Sequence, residues 1–473
     1  MNRCAKQSST RVAASLASAL LLGALSASAQ TDKDKTENAT GAPAPTEQQP
    51  RSGSYVPQPA AAAPAEGTPV MMGPTREVKL AEHTWFRFGF QVQAWFKAAQ
   101  DRIVQFDGGD GGYALDFYCR RCRLFATGSV VKDITFNLLM EASNFGKADP
   151  VTGVKAFVAP QFLDAYGQVK FNNFISLSAG SILLPLTRNG LQPTTTYLSI
   201  DNANVDTTPI LQGNSTVLRD LGMQANGFFL DDHLEYRLGV FQGTRAPAVT
   251  TGTGAGATTT QTAGHNPPRV VAMLSYNLWD TEKGYVNGGH YYGAKKVFGF
   301  MVNADYQILR KVDSPGPGFS KDAYMGLSAA TFINYPLSGS ANPKTGGDEL
   351  VGLLQFGMYD GGGRSPVDPT SPGTYSAVLR QINLLAEAAY FNKAAQMSFF
   401  LKLEARKIAG YYADAVKASN NVQWAAIGLK YYVAPGNLFN FGLQYERVQF
   451  PDAPATAQNG THNITFQTQM LLY

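Results

Sequence analysis

From Phe86 to Lys97 the chain alternates without a break. Phe86, Phe88, Phe90, Val92, Ala94 and Phe96 occupy one parity, and Arg87, Gly89, Gln91, Gln93, Trp95 and Lys97 the other. A period of two is the period of a β-strand, whose successive side chains leave opposite faces, so this stretch must be a strand with one apolar and one mainly polar face. The pattern recurs. Ile134, Phe136, Leu138, Met140 and Ala142 alternate with Asp133, Thr135, Asn137, Glu141 and Ser143, with Leu139 out of place. Phe399, Leu401, Leu403 and Ala405 alternate with Ser398, Phe400, Lys402, Glu404 and Arg406. Two all-β architectures accept such strands: a soluble sandwich with its polar face outward, and a membrane barrel with its polar face inward. Alternation by itself does not choose between them.

Connection lengths favour the barrel. Strands are expected near residues 85–98, 115–127, 132–144, 161–171, 174–183, 220–230, 234–243, 268–277, 296–308, 321–334, 349–360, 376–391, 395–408, 421–433, 438–449 and 462–473, sixteen in all. The connections tend to alternate long and short: 100–114 is long, 128–131 short, 145–160 long, 172–173 short, 185–219 very long and 231–233 short. Two connections, 278–295 and 335–348, are longer than this rule allows. Short turns at one rim and long loops at the other describe an outer-membrane meander, and sixteen strands give a bore wide enough for water. The expected fold is therefore an all-β, 16-stranded antiparallel transmembrane β-barrel over residues 76–473.

Composition fits an exported membrane protein. Only 16% of the 473 residues are charged, against roughly 25% in ordinary soluble domains. Residues 1–29 carry Arg3, Lys6 and Arg11, an apolar run from Val12 to Leu25, and Ala27-Ser28-Ala29, the layout of a cleaved secretory signal. Residues 30–75, rich in Pro, Ala, Thr and Gln, read as a disordered linker. Removing the signal leaves 36 basic against 35 acidic residues, a net charge of +1 that argues against a nucleic-acid partner. The five histidines form no metal-binding spacing and no Gly-x-Ser-x-Gly is present, so neither an enzyme nor a metal or other cofactor is expected.

One strand is unusually basic: Phe117 to Phe125 reads Phe-Tyr-Cys-Arg-Arg-Cys-Arg-Leu-Phe. An arginine on the lipid face near the membrane midplane costs about 2–4 kcal/mol, so Arg121 and Arg123, which share a parity, should face inward. Arg120 has the opposite parity and needs a membrane-edge position, a bulge or a twist. Cys119 and Cys122 in an extended strand would lie on opposite faces about 10 Å apart, beyond the roughly 7 Å Cα separation that a disulfide tolerates. Two unpaired strand cysteines are expected.

Several segments in order resemble the phosphate-selective porin O and P family of Gram-negative outer membranes. They are Arg120-Arg121-Cys122-Arg123-Leu124 with Gly128 and Lys132-Asp133-Ile134-Thr135-Phe136; Asp164-Ala165-Tyr166; Gly180; Leu184-Pro185-Leu186; Arg219-Asp220-Leu221-Gly222-Met223-Gln224; and Leu238-Gly239-Val240-Phe241-Gln242-Gly243. The resemblance covers roughly residues 85–243. It implies a homotrimer in outer-membrane lipid, a constriction loop folded inward after the fifth strand, and a ladder of lumenal arginines selecting phosphate-like anions. The sequence departs from that pattern at Leu163 and at Leu183-Leu184, and between Thr187 and Leu218 it has one base, Arg188, against Asp201 and Asp206.

Parity nominates Arg87, Lys97, Arg121, Arg123, Lys170, Arg237, Lys402 and Arg406 as pore-lining, anion-contacting bases; Arg188 and Arg219, near the inward loop, and Arg120, despite its parity, complete the set. The inward acids Asp133, Glu141, Asp164, Glu235, Glu387, Glu404 and Glu446 could neutralise many of them. The expected function is passive diffusion of small hydrophilic solutes with mild anion preference. The alternatives are a dedicated phosphate pore and a non-conducting structural or adhesion barrel.

Overall fold

The computed structural model describes residues 77–100, 112–149, 152–207, 218–243, 249–251, 258–260, 266–312, 319–337, 341–342, 346–361, 378–410, 414–434, 437–453 and 459–472. The signal peptide and linker expected over residues 1–75 lie outside the described residues.

Sixteen antiparallel strands pair in chain order: β1 Thr84–Gln100, β2 Tyr113–Val131, β3 Ile134–Phe145, β4 Gln161–Lys170, β5 Ser176–Leu183, β6 Arg219–Phe229, β7 Leu234–Phe241 and β8 Arg269–Asn277 form one half. The other half is β9 Val297–Val312, β10 Phe319–Pro336, β11 Glu349–Asp360, β12 Gln381–Asn392, β13 Met397–Ile408, β14 Val422–Ala434, β15 Phe439–Gln449 and β16 Gly460–Leu472. The last strand returns to the first, Phe90 opposite Leu472 through Ala99 opposite Asn463, which closes the barrel. Closure pairs strand edges that an open sheet would leave exposed. A short strand the sequence reading overlooked, Glu77–Ala81, folds back on the start of β1.

The distribution of polarity is the reverse of a soluble protein's. Along β16, Thr461, Asn463, Thr465, Gln467 and Gln469 are buried while Met470 and Leu472 stand exposed. Large apolar side chains such as Phe88, Leu124, Leu274, Leu354, Leu401 and Ile427 cover the outside of the barrel. A surface of that kind needs lipid rather than water against it, which decides between barrel and sandwich. At the short-turn rim, Phe229 stacks between Phe174 and Tyr236, and Trp279 packs on Phe298 and Tyr335, an aromatic girdle where the barrel wall meets the interface.

The bulge expected as one option for Arg120 is present. Arg121 pairs with Gln93 and Cys119 with Ala94, so Arg120 is the extra residue. That insertion overturns the expected separation of the cysteines. Opposite Ala94 and Val92 respectively, Cys119 and Cys122 share a face, their Cα atoms are 6.3 Å apart, and they form a disulfide. A second correction concerns Asp133, which lies in the β2–β3 turn with φ of 64° rather than on the lumenal face.

Candidate functional site: the barrel interior

The basic strand β2 and its neighbours hold their arginines in ion pairs. Arg120 Nε donates to Asp201 Oδ2 at 3.1 Å, and Arg121 donates to Asp201 and to Gln93 Oε1. Arg123 pairs with Glu141 across the β2–β3 ladder and donates to Thr194 Oγ1 at 2.8 Å. On β6, Arg219 Nε donates to Asp164 Oδ1 at 3.1 Å. Asp201 is therefore the counter-ion of two guanidiniums at once. Burial alone would raise its carboxyl, but Arg120 and Arg121 outweigh burial and hold it well below the usual carboxylate range.

Asp201 belongs to residues 184–207, a segment whose bonds reach inner-face residues all round the wall. Gln93 on β1 donates to the Thr194 carbonyl; Asn303 on β9 and Ser328 on β10 donate to the Pro185 and Leu186 carbonyls. Asn189 Nδ2 donates to Glu387 on β12, the Val205 amide to Glu404 on β13, and Lys430 on β14 to the Tyr197 carbonyl. The segment ends in α1, the single turn Asn204–Thr207. Leu198 and Ile200 are fully buried in an apolar cluster with Trp95, Tyr118, Phe332, Leu353 and Phe400. Each such side chain contributes roughly 1.5–3 kcal/mol, so this is a docked element.

The nominated bases differ in their exposure and partners. Arg87, Arg120, Arg123 and Arg219 retain 20%, 21%, 11% and 13% side-chain exposure. Lys97 and Arg406 are also partly exposed and have no ion pair among the described residues; Arg406 Nε donates to the Asn420 carbonyl at the end of α2, Asp414–Asn420. Arg121, Arg188, Arg237 and Lys402 are buried, paired with Asp201, Glu282, Glu235 and Glu404. Lys170 sits exposed at the short-turn end of β4, away from the rest. Arg87 pairs with Glu77 of the short N-terminal strand.

Two interior bases escaped the sequence reading. Arg269 on β8 is buried against Asp305, and Lys430 on β14 is buried near Glu387 and Lys402. Arg269 shares parity with Val271, Met273 and Ser275, so an apolar inner face disguised it. Acids gather around the two lysines: Glu387, Glu404 and Glu446 stand on β12, β13 and β15, with Asp206 of α1 near the first two. Burial pushes the Asp206 carboxyl up to about 7, and the charges of Glu404 and Glu387 add to that rise. It still accepts from Gln355 Nε2 at 2.7 Å.

No family model matches the chain, and no curated protein does either. Solved structures do. Salmonella typhi OmpF, determined with daunomycin, is 11% identical and superposes with a TM-score of 0.51 over 84% of this chain and 100% of its own. Pseudomonas putida OprB in its high-pH structure is 8% identical, with a TM-score of 0.53 over 82% and 94%. Acinetobacter baumannii DcaP, an outer-membrane channel, is 12% identical with a TM-score of 0.48. The likeness is one of fold. Its neighbours are outer-membrane porins, and none of them places this chain in the phosphate-selective family.

Proposed function

We propose that this protein is an outer-membrane porin through which small hydrophilic solutes diffuse passively, with a mild preference for anions. In this reading residues 184–207 fold inward and narrow the bore, and three barrels assemble as a homotrimer in outer-membrane lipid. The observation that carries the reading is the inverted polarity of the closed barrel, a lipid-compatible exterior around a polar interior. The anion preference rests on Arg87, Lys97, Arg120, Arg123 and Arg219, which keep water contact on β1, β2 and β6. Cations along a water-reached wall raise local anion concentration by focusing the field. The effect is mild because Asp201, Glu141, Asp164 and Glu77 already face most of these groups.

A dedicated phosphate site is the weaker reading, since such a site needs guanidinium forks free to offer paired donors, and here the fork of Arg121 is spent on Asp201 and the Gln93 amide and that of Arg123 on Glu141 and the Thr194 hydroxyl. Solute entry into proteoliposomes tests the proposal. Small neutral sugars should enter protein-loaded vesicles, and small organic anions faster than cations of equal size; vesicles as tight as protein-free controls would refute it.

A further inference from the structure

The connection that breaks the short-turn rule does not hang free at its rim. Residues 278–296 join β8 to β9, and 287–294 are buried without exception. Arg237 on β7 donates to the Gly284 and Tyr285 carbonyls at 2.9 and 2.8 Å, and the Tyr285 hydroxyl contacts Asp164 Oδ1 at 3.3 Å. Further along, Glu349 on β11 is bonded to His290 Nδ1 and accepts from the Gly293 amide, both at 2.8 Å. The Tyr292 hydroxyl donates to Asn437 Oδ1 at 2.5 Å.

The same residues meet the segment from the long-loop rim. The Asn287 amide donates to the Leu191 carbonyl at 3.0 Å, the His290 amide to the Thr196 carbonyl at 3.2 Å, and the Gly289 amide to Thr196 Oγ1 at 3.1 Å. Arg188 bridges the two, donating to Glu282 and to the Gly288 carbonyl, each at 2.8 Å. At the junction a Cβ on residue 289 would stand 2.1 Å from the Thr196 carbonyl oxygen, so only glycine permits this approach. The bases on the far side, Arg188, Arg269 and Lys402, have 1–2% side-chain exposure, whereas Arg87, Arg120 and Arg219 on β1, β2 and β6 keep 20%, 21% and 13%, although Arg121 and Asp220 on the same strands are buried.

We infer that residues 278–296 are a second determinant of the bore: joined to 184–207, they fill the lumen on the β7–β14 side and confine solutes to a strip along β1–β6. This rests on the porin reading and adds to it a size-setting element that enters from the short-turn rim. Fixed filling differs from a lid, because the junction is made of backbone bonds and buried pairs.

The test uses full-length protein in planar bilayers, wild type beside a variant in which residues 284–293 are replaced by a short Gly-Ser linker. Emptying half the lumen should at least double the single-channel conductance, since bore governs flow. A folded barrel whose conductance is unchanged overturns the inference and leaves the porin reading intact. Current from the variant alone supports the inference and overturns an open wild-type pore; silence from both overturns both. A second variant, Leu191→Cys with Asn287→Cys, tests the placement without any current and without deletion. Oxidation in intact outer membranes should cross-link the two segments in most molecules, and absence of the cross-link overturns the inference.

Discussion

Arg120, Arg121 and Arg123 face the interior, yet what each can do depends on its partners. Arg121 is buried between Gln93 and Asp201, while Arg120 shares Asp201 and lies over the Trp95 ring at 5.4 Å with water still in reach. Removing the shared carboxylate should therefore release two positive charges. Asp201→Asn is expected to raise the anion-to-cation permeability ratio severalfold, read from reversal potentials, and Arg120→Ala to lower it. Arg123→Ala should lower the ratio too and also cost stability, because it strands the buried Glu141 carboxylate, a loss of up to about 3–5 kcal/mol for a broken buried pair; urea titration of the folded barrel measures it. Asp206 brings a pH dependence. Its carboxyl, raised to about 7, binds a proton that the unfolded chain has released above about 4. The attachment of 184–207 should thus weaken as pH rises from about 4 through 7. Asp206→Asn should flatten that dependence in amide hydrogen exchange across the segment. Parity nominates Arg121 and Arg123, because lipid punishes an outward charge. It was silent on Asp201, whose position is set by a loop with no periodicity to read.

At the scale of elements, a single extra residue in β2 accounts for two departures from simple alternation. The bulge at Arg120 turns that side chain inward and brings Cys119 and Cys122 onto one face. A bulge is one of the options that parity leaves for Arg120, but the cysteine spacing, measured along an unbroken strand, gives no sign of the disulfide. A four-residue disulfide loop removes little chain entropy, about 2 kcal/mol in the loop-closure model. Cys119→Ser with Cys122→Ser should keep the barrel folded and its conductance unchanged, with a thermal midpoint lowered by a few degrees at most. The junction between the two inner segments is more sensitive. Gly289→Val puts carbon against the Thr196 carbonyl, and should enlarge the conductance by unseating residues 278–296 while leaving the outer strands paired. Length alone marks 278–295 and 335–348 as too long for turns. Where they go depends on contacts such as Asn287 to Leu191, Gly293 to Glu349 and Asn342 to Gly293, which join residues far apart in the chain.

For the whole molecule, sixteen strands and their order were legible because membrane barrels are built from local hairpins with a strict period, and lipid enforces that period on every strand. Boundaries moved by a few residues, as at β12, expected from 376 and observed from Gln381. The interior was less legible. A lumen packed by Leu191, Leu198, Ile200, Tyr291 and Phe332 has an apolar core of its own, a feature that strand parity treats as an exception. The working picture is a barrel with a lipid-facing shell, a packed filling on the β7–β14 side, and a basic, hydrated strip along β1–β6. The reversal potential of purified protein in a planar bilayer under a tenfold potassium chloride gradient tests that picture most directly. Stepwise conductance with a reversal potential displaced modestly toward the chloride equilibrium value is the predicted result; no conductance, or strong cation selectivity, would contradict it.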